Sequence, residues 1–508
     1  MGKWKLAGST AIIALLAGTG AFADVTPEEV WQNWQDMSAS YGQTITAASA
    51  TRDGDALLVK DATISYDKDG VALDGKIPEM TFTDKGDGTV EVTMSNSYPL
   101  NMTLPGAPSD GASATPTKLT ITVGQPGMTM KASGTPEAIS YAFNAPTLDI
   151  SVTAINGVDA AVVDATIQAV MTNVVGNYMV EGDAAAKKVG STFSADSAKV
   201  TVVGTDKETS SDFNLALNVA DLAGTSNGTF LGADAMQDMA AALKAGFAFD
   251  SAITYGAANF DMTATEADKP TKVSGTFDGG DISFAMDVNH LQYGAGSKKV
   301  AFTVSSPDIP FPELKLGYDE AAFKMLMPVR KSDQPADFSL LTRLVGFTIS
   351  DEIWGMVDPT GALPHDPATV ILDAKGKATL TADLMDAAAM ETAGDASPFQ
   401  LNALDINALQ VSAVGAELTG MGGFTFDNTD MTTFEGIPAP TGKIDLKLTG
   451  ANALLDKIVA MGLISQDDAM GYKMMVSMFA NATPDKDEMT STLEFKDKGF
   501  YANGQRLQ

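Results

Sequence analysis

Short runs of alternating apolar and polar residues, broken by turns rich in Gly and Asp, recur along most of this chain and commit it to antiparallel β architecture. Leu58-Val59-Lys60-Asp61-Ala62-Thr63-Ile64-Ser65-Tyr66 is one such run, closed by the turn Asp67-Lys68-Asp69-Gly70. Glu79–Thr83 and Thr89–Met94 flank Asp84-Lys85-Gly86-Asp87-Gly88, a hairpin loop. Further runs follow at Leu119–Val123, Met128–Ala132, Ile139–Phe143 and Leu148–Val152. A second series runs through Val200–Val203, Asn214–Asn218, Ser251–Phe260, Lys272–Phe277, Ile282–Val288 and Lys299–Val304. Strand side chains alternate between two faces, so each run offers one apolar face. Turns this short join antiparallel neighbours, because parallel strands need long crossovers.

Helices punctuate the strands. Thr26-Pro27-Glu28-Glu29 reads as N-cap, Pro at the first helical position and Glu at the third, and Val30, Trp31, Trp34 and Met37 follow at helical spacing. Val163, Ile167, Val170, Val174 and Tyr178 form an i, i+4, i+7 series that predicts a helix over Val158–Val180. A short helix is expected at Asp234–Ala245, stopped by Gly246, and others at Phe338–Phe347 and Ser350–Val357. A helical pair, Asn452–Met461 and Ala469–Ala480, follows further strands at Phe399–Phe426 and Lys443–Thr449 and precedes a terminal hairpin turning at Lys498-Gly499. A weak strand–helix–strand similarity links Tyr141–Tyr178, Phe213–Tyr255 and Lys443–Phe479.

At 508 residues the chain exceeds what one compact core usually holds. The Pro-rich connector Ser306–Pro312 is the natural joint. The expected fold is therefore α+β: large, twisted antiparallel β-sheets partly covered by helices, elongated, in two lobes over residues 24–305 and 306–508. Residues 1–23 read as a secretory signal peptide. Lys3 and Lys5 precede the uncharged run Leu6–Gly18, and Ala21-Phe22-Ala23 is a small-x-small cleavage site. The run is shorter than a membrane span, so a periplasmic location with no transmembrane segment after cleavage is expected. A porin-like barrel is disfavoured by strands read as shorter than a bilayer needs.

The net charge of −31 argues against nucleic acid, whose phosphates need clustered Lys and Arg. Hydrophobic residues at 44% against 19% charged give a balance that folds. With no cysteine, thiol catalysis and zinc–thiolate sites are excluded.

Three segments carry a resemblance: VTPEEVWQNW, DEIWGMVDPTGALPHDPATVILDAKG and LEFKDKGFYANGQRL. Together they resemble an uncharacterised family of exported alphaproteobacterial proteins, a domain of unknown function. The closing helical pair, strand, Lys-Gly turn and Asn-Gly-Gln are also similar to periplasmic β-rich proteins of the AsmA-like kind. That resemblance implies envelope upkeep and lipid movement, although this chain lacks their transmembrane anchor.

Few residues carry conventional chemistry. His365 and Asp366 are adjacent in an extended segment, so their side chains point apart and form a poor base–orienter pair. His290 reads as an ordinary loop or strand residue. Gly224-Thr225-Ser226-Asn227-Gly228 fits G-x-S-x-G but lacks the following helix that a nucleophile elbow requires. The Asp-rich segments 67–70 and 84–88 lack the bidentate Glu of a calcium loop and read as turns. Met470, Met474, Met475 and Met478 share one helix and read as core filling rather than as a copper site. No catalytic, cofactor-binding or metal-binding residue is therefore assigned. The expectation is a non-enzymatic periplasmic protein that binds an apolar envelope ligand such as lipid, or a partner protein. The alternative is a hydrolase whose site is not recognisable in sequence.

Overall fold

The computed structural model describes residues 24–40, 42–68, 70–105, 116–156, 163–182, 186–206, 209–232, 235–393 and 397–508. The signal-peptide reading of residues 1–23 lies outside them. Helix α1 (Pro27–Ser40) leads into β1 (Thr44–Asp53), β2 (Ala56–Lys68) and β3 (Val71–Asp84). Four short strands follow: β4 (Val90–Met94), β5 (Ser97–Leu104), β6 (Thr117–Gly124) and β7 (Thr129–Thr135). β4 pairs with β7 and β5 with β6, and the two pairs lie end to end between β3 and β8 (Ala138–Asn156). Three long strands come next, β9 (Val163–Gly182), β10 (Ala186–Asp206) and β11 (Ser211–Leu231), then α2 (Met239–Lys244).

The end-to-end arrangement then recurs. β12 (Ala248–Tyr255) pairs with β15 (Gly279–Met286), and β13 (Ala258–Glu266) pairs with β14 (Lys269–Phe277). Both pairs sit between β11 and β16 (His290–Ser305). The chain continues as β17 (Leu314–Pro328), β18 (Ala336–Ile349), α3 (Asp351–Val357), β19 (Ala368–Leu380), α4 (Ala387–Ala393), β20 (Phe399–Ala413), β21 (Ala416–Asp427) and β22 (Ala439–Thr449). It ends with α5 (Ala451–Ala460), α6 (Gln466–Phe479), β23 (Asn481–Ala482), β24 (Glu488–Lys496), β25 (Gly499–Ala502) and β26 (Gln505–Arg506).

Every strand joins one antiparallel sheet. Among the described residues β1 pairs only with β2 and β26 only with β25, so the sheet does not close on itself. Roughly twenty strands abreast at about 4.8 Å spacing make a sheet on the order of 95 Å long. Ser306–Pro312 lies in the loop between β16 and β17, and pairing reaches Val304 and Leu314 on either side of it.

The densest core sits at the α1 end. The capping signals act as read: the Glu29 carboxylate accepts from the Thr26 backbone N–H and hydroxyl, both at 2.8 Å. The helix buries Val30 and Trp31 against Val59, Met80, Phe82 and Val92. The Phe82 ring meets Trp31 and Trp34 edge-on at 5.9 and 5.4 Å. Each such side chain contributes about 1.5–3 kcal/mol by leaving water.

Two helix expectations are overturned. Of the helix expected over residues 158–180, residues 163–180 lie within strand β9 and 158–162 lie outside the described residues, while Phe338–Phe347 lies within β18. The strands are also longer than expected, β9, β10 and β11 reaching 20, 21 and 21 residues. The premise that strands are too short for a bilayer is therefore corrected. In β9 one feature produced the error: a mid-strand kink that moves the apolar series from odd to even positions. In β9, Ile167, Ala169 and Met171 share a face with Val174, Gly176 and Tyr178, and Asn173 stands at the switch with φ 50°. A step of three inside a period of two imitates helical spacing.

Candidate functional site

Strand register sorts the side chains of the sheet into an apolar and a polar face. One cross-strand row runs Ile253, Ile282, Ala295, Phe323, Thr342, Leu372, Leu409, Gly420, Leu446 and Ser491. One residue along each strand, on the opposite face, the row reads Ala322, Arg343, Ile371, Gln410, Thr419, Lys447 and Thr490. The polar face carries ion pairs: Arg343–Glu320 at 3.1 Å, Lys377–Asp337 at 2.7 Å and Lys447–Glu488 at 2.8 Å. The Lys447 ammonium holds the Glu488 carboxyl below its ordinary range.

A crease runs along the sheet. Asp61, Asn173, Asp221 and Lys299 adopt left-handed backbone in mid-strand, with φ of 50°, 50°, 52° and 44°. Asp and Asn tolerate that region better than most residues. Neighbouring strands join the line: Asn173 donates to Asp196 at 2.7 Å, and Lys299 pairs with Asp278 at 3.5 Å. Gly346 (φ 68°) sits against Asp319, whose carboxylate occupies the space a Cβ would need. Across the crease, apolar side chains stand three residues apart: Val59 and Ala62, Ala145 and Leu148, Met171 and Val174. Ala145, Val174 and Ala195 are buried here among Met128, Phe143, Leu148, Met171 and Leu222, none of them from a helix. The side chains that bury them come from both sides of the crease, Phe143 from one and Leu148 and Met171 from the other. The apolar face is thus the inside of a trough, and the polar kink residues lie on its outside.

Helices cover this inner face only in places. α1 seals the first end. There Tyr141, 2% exposed, donates to Asn33 at 2.7 Å, and burial pushes its phenol pKa up. α2 buries Leu243 beside Phe230, Phe249 and Met286. It is tied down by Lys244–Asp383 at 2.9 Å, and this pairing lowers the Asp383 carboxyl. At the far end α6 lies over β21, β22 and β24. Between these covers Ile282, Phe323 and Val370 remain 50%, 38% and 40% exposed.

The residues weighed for chemistry are held apart from one another by their own partners. Ser226 lies in mid-β11 between Ser191 and Ser251. His290 opens β16, its Nδ1 3.7 Å from Asp287. His365 stacks on Trp354 at 4.3 Å and comes within 3.9 Å of Asp351. The loop carrying it is organised by Asp358, which accepts from the Thr360 hydroxyl at 2.9 Å and the Leu363 N–H at 2.6 Å. Asp67 and Lys68 pair with Ala72 and Val71 at a hairpin end, with Asp69 outside the described residues. Asp84 and Asp87 bond to Gly86 and Thr89 within their own turn. The methionine expectation is overturned: Met470, Met474, Met475 and Met478 are exposed, because α6 turns only part of its surface to the sheet. Among the described residues no group of three or more His, Asp or Glu could hold a metal ion. Sequence reasoning missed the crease, whose signal is a polar residue with apolar neighbours three apart inside a period-two run.

Fold and site together define a class: an amphipathic, lengthwise-creased antiparallel sheet with helical covers. Residues 242–504, a little over half of the chain, match the family described as an uncharacterized protein conserved in bacteria, DUF2125, and the chain belongs to that family. The match begins in α2 and takes in the exposed middle and the roofed end. No curated protein and no solved structure matches the chain. Among the described residues no helix is long and apolar enough to cross a membrane.

Proposed function

We propose that this protein is a periplasmic carrier that binds hydrocarbon chains, such as the acyl tails of envelope lipids, along the inner face of its creased sheet. The observation that carries this reading is the exposure of Ile282, Phe323 and Val370 on that face. Contiguous uncovered apolar surface rimmed by polar residues is characteristic of binding sites. Hydrocarbon suits it better than peptide. Backbone N–H and C=O groups of the walls are spent in the strand ladder, so an entering peptide would bring polar groups to a surface with few partners. The acidic composition keeps such a carrier dispersed between encounters. The hydrolase alternative would need a histidine beside Ser226, whose cross-strand neighbours are serines.

The test is native mass spectrometry with lipid extraction on gently purified protein, joined to titration with a fluorescent fatty acid. Co-purifying lipid and saturable binding are expected. Absence of both at micromolar concentration removes the carrier reading.

A further inference from the structure

The geometry points to a specific seat for the end of a hydrocarbon chain, a cavity beneath α6 at the C-terminal end of the trough. This rests on the acyl-chain reading above and deepens it. The cavity has a volume of about 230 Å³ and lies between Met475, Val476 and Phe479 of α6 and Leu446, Leu448 and Leu493 of the sheet. Its one polar side chain, Ser491, is satisfied within the protein, because its hydroxyl donates to the Phe479 carbonyl at 2.5 Å. Water in this cleft finds few polar partners, and an apolar lining favours apolar groups in its place. A space of this lining and size is therefore suited to methylene groups.

Two further observations give the cavity a direction. Leu446 belongs to the cross-strand row that passes through Phe323 and Leu372, so the seat lies on the same apolar face as the trough. α6 is built as a roof and not as core: it has a full capping box at Ser465 and Asp468, yet buries only Ala469. Met475, half exposed, stands at the cavity's edge. The chain would lie along the trough with its methyl end under α6.

The chain has no cysteine, so Met475→Cys and, in a separate protein, Leu372→Cys each give a unique site for a bimane label. The probe is stearic acid carrying a nitroxide at its methyl end, which quenches a fluorophore on contact. Quenching is expected at position 475 and not at 372, because Leu372 lies on β19, three strands or about 14 Å from Leu446 at the seat. The same acid with its nitroxide beside the carboxylate should quench position 372 and spare 475. Val476→Trp, which fills the cavity, should weaken methyl-end quenching at position 475 roughly tenfold, as expected from excluding about two methylenes. Should Val476→Trp not fold, the contrast between the two probes at position 475 takes its place. Quenching confined to 372 with both probes overturns the seat and leaves the trough reading standing. Quenching at 475 that Val476→Trp does not weaken, or that both probes cause equally, also overturns the seat. Quenching at neither position by either probe removes both readings, and a carboxylate-side probe that fails to quench 372 removes the trough.

Discussion

The two ends of the sheet present the same kind of surface to different helices, and the difference separates core from site. At the first end α1 places Val30 and Trp31 into the apolar face so closely that Val59, Met80 and Phe82 are wholly buried. At the other end α6 lies over Leu446 and Leu448 but leaves a cavity and buries one alanine of its own. Both helices have well-made caps, so the contrast is not one of helix stability. It lies in the shape of the side chains turned inward: two indoles that fill the space between the walls, against Val476, Phe479 and the edge of Met475, which leave a gap. A fully packed cover adds folding energy, and a loosely packed one leaves room for a ligand.

The largest effect should therefore fall on the packed end. Trp31→Ala removes a buried indole and leaves a void, and should cost about 3–5 kcal/mol in urea unfolding. Val476→Ala only enlarges an existing cavity and should cost less than about 1 kcal/mol. Equal losses would mean that α6 is core after all, and the contrast between the ends would fail.

The uncovered middle offers a second, smaller test. Phe323 is partly exposed on the inner face. Phe323→Asp should leave stability within about 1 kcal/mol while weakening fatty-acid binding about tenfold, since a carboxylate would have to be desolvated by the chain. A large stability loss with unchanged binding would show that Phe323 serves packing alone.

Backbone hydrogen exchange compares the covers directly. Local opening needs less free energy where few apolar contacts must break. Amides of α6 should exchange faster than those of α1, and added fatty acid should slow α6 while leaving α1 unchanged. Equal rates without ligand would contradict the description of α6 as a roof.

The ends of the molecule were the legible part of the sequence. Thr26 to Glu29 and Ser465 to Asp468 announce α1 and α6 through their own short-range chemistry, which no tertiary context overrides. β1 was missed because TITAASATRD carries little apolar signal and is fixed mainly by pairing with β2. The crease hid the long strands: a run that switches faces at Asn173 reads as two short strands or one helix, depending on the window. Phe338–Phe347 failed for a related reason. Leu340 and Leu344 face inward while Leu341 and Val345 face outward, so both faces are apolar and the period disappears. The methionines of α6 were placed in the core because composition cannot tell a helix that fills a space from one that spans it.

The smallest effect concerns what holds the roofed end in place. The two-residue turn Asp497-Lys498 between β24 and β25 has φ of 49° and 57°, an unfavourable backbone for lysine. Lys498 is held there by Asp430, in the loop after β21, with Nζ to Oδ2 at 2.8 Å. Asp430 also accepts from the Thr433 hydroxyl at 2.7 Å. The Lys498 ammonium, followed by the Thr433 hydroxyl, holds the Asp430 carboxyl well below the usual carboxylate range. A carboxyl whose folded pKa lies below its unfolded one stabilises fully above the unfolded value and loses that contribution as pH falls through the folded value. The pair should therefore be insensitive to pH near neutrality and weaken only below about pH 4. Lys498→Gly relieves the backbone and removes the pair, so the two effects oppose and the neutral-pH melting temperature should barely move. The Asp430 carboxyl resonance should nevertheless titrate at higher pH in Lys498→Gly than in the parent chain. An unmoved titration would show that Thr433 and the loop backbone alone depress Asp430, and that the terminal hairpin is not pinned to the roofed end through this pair.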